Sequence, residues 1–183
     1  MNSGKNFENA WKSSIPDYCL YYRLPDPPQS FNGFNDHHSS ILRFSWKNPC
    51  DCFIFDGVSS ILYTLELKST KGSSMGFEDI NITEKQPTKM IHKHQISALS
   101  DYASYKNVCP GFILNFRNEE NVTEVTYFLH ISNFNKMTDT IDKKSFNQKD
   151  LKKFGAIEIP GRKKRVNYIW DVSQLLEQGK KYV

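Results

Sequence analysis

The chain has 183 residues, 38% apolar and 24% charged, enough for one packed domain and hardly for two. No run approaches the ~18 apolar residues that cross a bilayer, and the N-terminus MNSGKNFENAW lacks the basic-then-apolar order of a secretory signal. A membrane protein and a secreted disulfide miniprotein are therefore not expected, and a cytoplasmic location is. The formal net charge of +4 is unevenly spread. Residues 143–183 carry 11 Lys and Arg against 4 Asp and Glu, a net of +7, while the first 142 carry 13 against 16, a net of −3. A mildly acidic body with a basic C-terminal segment is the footprint of a polyanion-facing surface. A solvated lysine-rich surface is the plain alternative.

In chain order, residues 3–13 read as a short helix with Ser3 as N-cap, Phe7, Ala10 and Trp11 as its apolar stripe, and Pro16 closing it. Residues 25–46 are rich in Pro, Asn and Ser and too long for an ordinary connection; within them 41–46 alternates as a strand does. Residues 51–55 form a short apolar strand, Asp56-Gly57 a hairpin turn, and 61–69 a longer strand, broken by 72–76. A helix is expected within 87–105, with Ile91, Ala98, Leu99 and Tyr102 as its stripe. Strands at 112–116 and 125–131 flank a polar loop at 117–121. A helix at 146–154, a basic loop at 155–165 and a helix-like segment at 167–178 complete the chain. This order predicts an α/β (α+β) domain with a central mixed sheet. Cys19, Cys50, Cys52 and Cys109 make no framework and read as buried reduced thiols, with Cys50 and Cys52 expected on opposite faces.

The chemistry gathers on the 61–69 strand. Glu66 and Lys68 stand two apart and share a face, whereas Leu65 and Leu67 take the other. An isolated pair of this kind is most often a surface ion pair. Pairing around the 56–60 turn, however, brings Asp51 opposite Glu66. Two carboxylates can hold a hard divalent cation, and a lysine can stabilise phosphoryl charge. Gln95 lies inside the apolar stripe of its helix, where a buried amide needs partners. His94 beside it is a phosphate contact or a solvated residue. Glu8 flanks the apolar stripe of the first helix and is an outer candidate for the same site.

This ordered set resembles the PD-(D/E)xK nuclease superfamily and, within it, the RecU-type Holliday junction resolvases of low-GC Gram-positive bacteria and their phages. The resemblance rests on Gly4-Lys5-Asn6-Phe7-Glu8, Pro49-Cys50-Asp51, Glu66-Leu67-Lys68, His94-Gln95 and the close Gly161-Arg162 to Val166-Asn167-Tyr168-Ile169. It implies a restriction-endonuclease-like core, one nuclease domain over 1–183, a protruding stalk over about 25–46 and a basic segment over 143–183. It implies that Asp51, Glu66 and Gln95 bind Mg2+ (with Mn2+ as substitute), that Lys68 stabilises the transition state, and that Glu8 tunes the site. No small-molecule cofactor is expected. It also implies a homodimer that cuts four-way junction DNA in a bacterial, including phage-encoded, setting. Arg162, Lys163, Lys164 and Arg165 would contact phosphates, with Lys71 and His94 nearer the scissile bond. The pattern departs at Pro49, where the family has a Thr among its metal-site residues. A restriction-like or general DNA nuclease of the same fold, and a non-catalytic nucleic-acid-binding module, are the alternatives.

Overall fold

Phe7, Ala10 and Trp11 turn one face of the first helix, α1 (Ser3–Lys12), inward, and all three are buried. The computed structural model describes residues 3–25, 47–84, 87, 89–118, 123–165 and 168–183. The expected stalk apart from Pro25, the strand expected over 41–46, positions 119–121 of the polar loop and Asn167 lie outside the described residues.

Strand β1 (Cys19–Arg23) follows α1, and β2 (Cys52–Asp56) and β3 (Ile61–Thr70) form a hairpin. Asp56 closes its turn: Oδ1 accepts the Val58 N–H at 2.9 Å and Oδ2 the Ser59 hydroxyl at 2.5 Å. The strands pair Asp56 with Ile61 and Cys52 with Leu65, the register that the turn centre predicts. Next come β4 (Ser74–Gly76), α2 (Lys93–Tyr102), β5 (Val108–Asn118), β6 (Thr123–His130) and α3 (Ile131–Thr140). The rest is β7 (Ser145–Asn147), α4 (Gln148–Lys153), β8 (Ile157–Ile159), β9 (Gly161–Lys163), β10 (Tyr168–Trp170) and α5 (Val172–Gly179).

The main sheet has six strands in the order β1-β2-β3-β5-β6-β8. β3 and β5 are parallel, joined by a crossover that contains α2, and the other neighbours are antiparallel. The central mixed sheet flanked by helices is thus as expected. Strand alternation splits the core in two. Ile61, Tyr63, Leu65 and Leu67 pack with Phe7 and Trp11 of α1, with Trp170, and with Leu175 and Leu176 of α5. On the other face Phe112, Leu114 and Phe116 pack with Ile96 and Leu99 of α2 and with Phe134 and Met137 of α3.

Several boundaries differ from the expectation. The helix expected from 87 starts only at Lys93, because Ile91 forms a bridge with Phe77 and its N–H donates to Gly76 O at 3.1 Å. The helix expected over 146–154 begins as β7, paired with β4, and Asn147 then caps α4. The basic loop over 155–165 contains β8 and β9, and the segment over 167–178 splits into β10 and α5. β9 and β10 form their own hairpin, closed by the Trp170 ring lying over Gly161, where a Cβ would come within 2.2 Å of it. α3 has no counterpart in the expectation, although Ile131, Phe134 and Met137 are its buried stripe.

All four cysteines are free. Cys50 and Cys52 do lie on opposite faces, in the α2-side and α1-side clusters respectively. Residues two apart on a regular strand would share a face. The switch comes from Asp51, whose N–H donates to Leu65 O at 3.0 Å although Cys52 is the residue paired with Leu65.

Candidate active site

β3 and β2 bring Asp51 and Glu66 together. The backbone of Asp51 is held from both sides, its O accepting the Leu24 N–H at 2.9 Å and its N–H bonding Leu65 O. Its carboxylate turns along β3 and accepts the Leu67 N–H at Oδ2, 2.7 Å. Glu66 points from the α2 face of the sheet and is only 2% exposed. Lys68 Nζ lies 2.8 Å from Glu66 Oε1. Gln95 Nε2 on α2 donates to the same oxygen. Asp51, Glu66, Lys68 and Gln95, drawn from three separate segments of the chain, are therefore one connected cluster.

Burial and the neighbouring Asp51 carboxylate push the Glu66 carboxyl up to about 7; Lys68 opposes them without cancelling them. Two facing carboxylates in a half-dry setting repel, and that donor set of hard oxygens suits a small divalent cation. Among the described residues no group of three or more His, Cys, Asp or Glu able to hold a metal comes together. Cys50 is buried beside the cluster. Its thiol is pushed up to about 12 by burial and by Glu66 and Asp51, so it stays protonated.

Gln95 enters the cluster in a specific orientation. It stands at the third position of α2, and its Oε1 accepts the backbone N–H of His92 at 2.9 Å. This is the reciprocal half of a capping box. The end of the amide presented to Glu66 is consequently its NH2, a donor that no cation takes as a ligand. The sequence shows only the glutamine of that box, since His92 is not one of the usual Ser, Thr, Asp or Asn caps.

The other expected residues lie at varying distances from this cluster. His94 is half-buried, stacks on His92 with ring centroids 5.6 Å apart, and is held below its ordinary pKa by burial, Lys47, His92 and Lys68, with Glu78 opposing. Lys47 and Lys68 thus both stand close enough to His94 to disfavour its charged form. Lys47 carries no motif that would single it out. Lys71 is exposed in the turn after β3. Glu8 sits on α1, which packs on the Leu65 and Leu67 face, and its carboxylate pairs with Arg23 at 3.0 Å. Arg162, Lys163, Lys164 and Arg165 are exposed on the β9–β10 hairpin, which is anchored through Trp170 in the α1-side core. The fold joins four of the expected site residues and leaves Glu8 and the basic run on elements of the opposite face.

Glu78 is not among the expected residues. Its Oε1 lies 3.0 Å from His92 Nδ1 and its Oε2 accepts the Lys93 N–H at 2.8 Å, so it caps the helix that carries Gln95. These bonds hold its carboxylate below the usual range, the Lys93 N–H first among them. Only its position directly after the bridge residue Phe77, fourteen residues upstream of His92, marks it, and no local pattern reveals that.

No helix among the described residues is long and apolar enough to cross a membrane. No family model matches the chain. The SPbeta prophage-derived uncharacterized protein YotM of Bacillus subtilis is 30% identical over 187 aligned residues, which cover 95% of this chain and 85% of YotM. At that identity and coverage, the chain belongs to the same family as the prophage protein YotM.

Proposed function

We propose that the chain is a Mg2+-dependent endonuclease of the PD-(D/E)xK superfamily, built on a restriction-endonuclease-like core, that resolves four-way DNA junctions in the manner of the RecU-type resolvases. The observation that carries this reading is the convergence of Asp51, Glu66 and Lys68 at the point where the β2–β3 register ends. The YotM relationship, with its prophage source, is in keeping with a phage origin.

Asp51 and Glu66 would hold the cation, with Mn2+ able to replace Mg2+. When bound, a divalent cation lowers the pKa of a coordinated water and offsets charge on the phosphoryl group. The reaction is hydrolysis: the water oxygen bonds to phosphorus as one phosphorus–oxygen ester bond breaks, leaving one end with phosphate and the other with hydroxyl, and the water's second proton passes to solvent. Lys68, with 17% of its side chain exposed, is positioned to donate to the phosphate oxygens as negative charge accumulates on them. Glu66 must be ionised to hold the cation, so its proton and Mg2+ compete, and the Mg2+ concentration needed for activity rises as pH falls below about 7. Symmetric cutting of two strands calls for two sites and hence a homodimer, which light scattering would detect.

Wild type, Asp51→Asn and Lys68→Ala, each given Mg2+ with a synthetic four-way junction and with linear duplex, test the reading. Junction cutting by wild type, lowered about 100-fold or more in both variants, is expected. Equal cutting of junction and duplex would move the reading to a general nuclease. Junction binding without metal-dependent cutting would leave a binding module.

A further inference from the structure

Gln95 is 8% exposed and both ends of its amide are engaged by protein groups. The His92 bond fixes the orientation, since a backbone N–H can only donate and so must face the amide oxygen. That leaves the NH2 end for Glu66. His92 and Lys93 are in turn held by the two oxygens of Glu78. Glu78 itself is clamped to the start of α2 from behind: its N–H donates to Ile91 O at 2.9 Å, and Ile91 bonds back to Gly76. A continuous chain of hydrogen bonds therefore runs from Glu78 through His92 and Gln95 to Glu66.

We propose that Glu78 is a positioning residue, which sets the start of α2 so that the Gln95 amide donates to Glu66 and holds that carboxylate against Asp51. Gln95 acts as an orienting donor in this arrangement, and its oxygen belongs to the helix cap. For its catalytic consequence the proposal rests on the nuclease reading; its structural content does not. Partners in this outer position commonly change activity or metal affinity by about 10–100-fold.

The test uses the full chain in five variants: Glu78→Ala, Glu78→Gln, Gln95→Met and, as controls on the same cluster, Lys68→Ala and Asp51→Asn. The first readout is the side-chain amide of Gln95 in nitrogen-15 NMR, assigned by its disappearance in Gln95→Met. The resonance is expected at the position of a carboxylate-bonded amide in wild type and Lys68→Ala. It should move to that of an ordinary solvated amide in Glu78→Ala and return in Glu78→Gln, which keeps an acceptor for Lys93. The second readout is Mn2+ affinity, expected to fall far less in Gln95→Met than in Asp51→Asn. In junction cleavage, Glu78→Ala should lower kcat about tenfold with KM unchanged, and Glu78→Gln should recover most of it. A Gln95 resonance indifferent to Glu78→Ala overturns the proposal, as does Mn2+ binding equally weakened by Gln95→Met and Asp51→Asn. If wild type cuts no junction, the nuclease reading fails while the NMR series still decides the positioning role.

Discussion

Leu65 and Glu66 are adjacent on β3 and almost equally buried, at 0% and 2% exposure, yet they do opposite things for the molecule. Leu65 packs in the apolar cluster on the α1 side, where burial stabilises the fold at roughly 25 cal/mol per Å2. Glu66 faces α2, where its charge is taken out of water beside another carboxylate and is only partly compensated by Lys68 and Gln95. One strand therefore carries the centre of the core on one side and a destabilising polar cluster on the other. A buried carboxylate kept at such a cost is a mark of a functional site, because structure alone would be served better by an apolar residue.

Substitutions on the two faces break this comparison in different directions. Leu65→Ala should lower unfolding free energy by about 2–5 kcal/mol in urea titration, the cost of a cavity in a close-packed core. Glu66→Gln should instead stabilise the metal-free chain by about 1–3 kcal/mol at pH 8. The sign follows from the raised carboxyl. Between about 4.5 and 7 the folded state binds the proton that the unfolded state has released, so wild-type stability falls as pH rises through that window. The advantage of Glu66→Gln should accordingly vanish near pH 4.5. A variant no more stable than wild type at pH 8 would remove the basis for calling the site costly.

His130 sharpens the contrast from the other direction. It is 5% exposed, accepts the Ser132 N–H at the start of α3, stacks on Tyr182 and is held down to about 4 by burial. The unfolded state binds a proton below about 6.5 that the folded state refuses until about 4, so stability should fall as pH drops through this window. His130→Gln should flatten that acid limb, measured by thermal unfolding at pH 7 and pH 5. The smallest effect is expected on the hairpin: Arg162→Ala or Lys164→Ala should weaken junction binding uniformly across sequences. Each should reduce the salt slope by about 0.9 for every phosphate that is no longer neutralised, with the cleavage step unchanged.

The legible parts of the chain are those set by local geometry. The Asp56-Gly57 turn fixes the β2–β3 register, and with it the meeting of Asp51 and Glu66. Strand alternation puts Glu66 and Lys68 on one face. The stripe of α1 identifies Phe7 and Trp11 as core. The start of α2 is not legible, because the bridge between Phe77 and Ile91 is a tertiary contact that overrides helical patterning. Glu78 is invisible to local pattern because its partners are far along the chain. The capping role of Gln95 is readable from its place three residues after His92 only once the helix start is known. The pairing of Glu8 with Arg23 depends on how α1 lies against the sheet, which no spacing in the sequence encodes.

Crystallography of the chain with Mn2+, read by anomalous scattering, tests the proposed metal site most directly. An ion is predicted between the carboxylates of Asp51 and Glu66 at ~2.0–2.5 Å from their oxygens, with Lys68 beside it and the Gln95 nitrogen still on Glu66. Mn2+ bound elsewhere, with Asp51 and Glu66 left together and unchanged at saturating Mn2+, would contradict it.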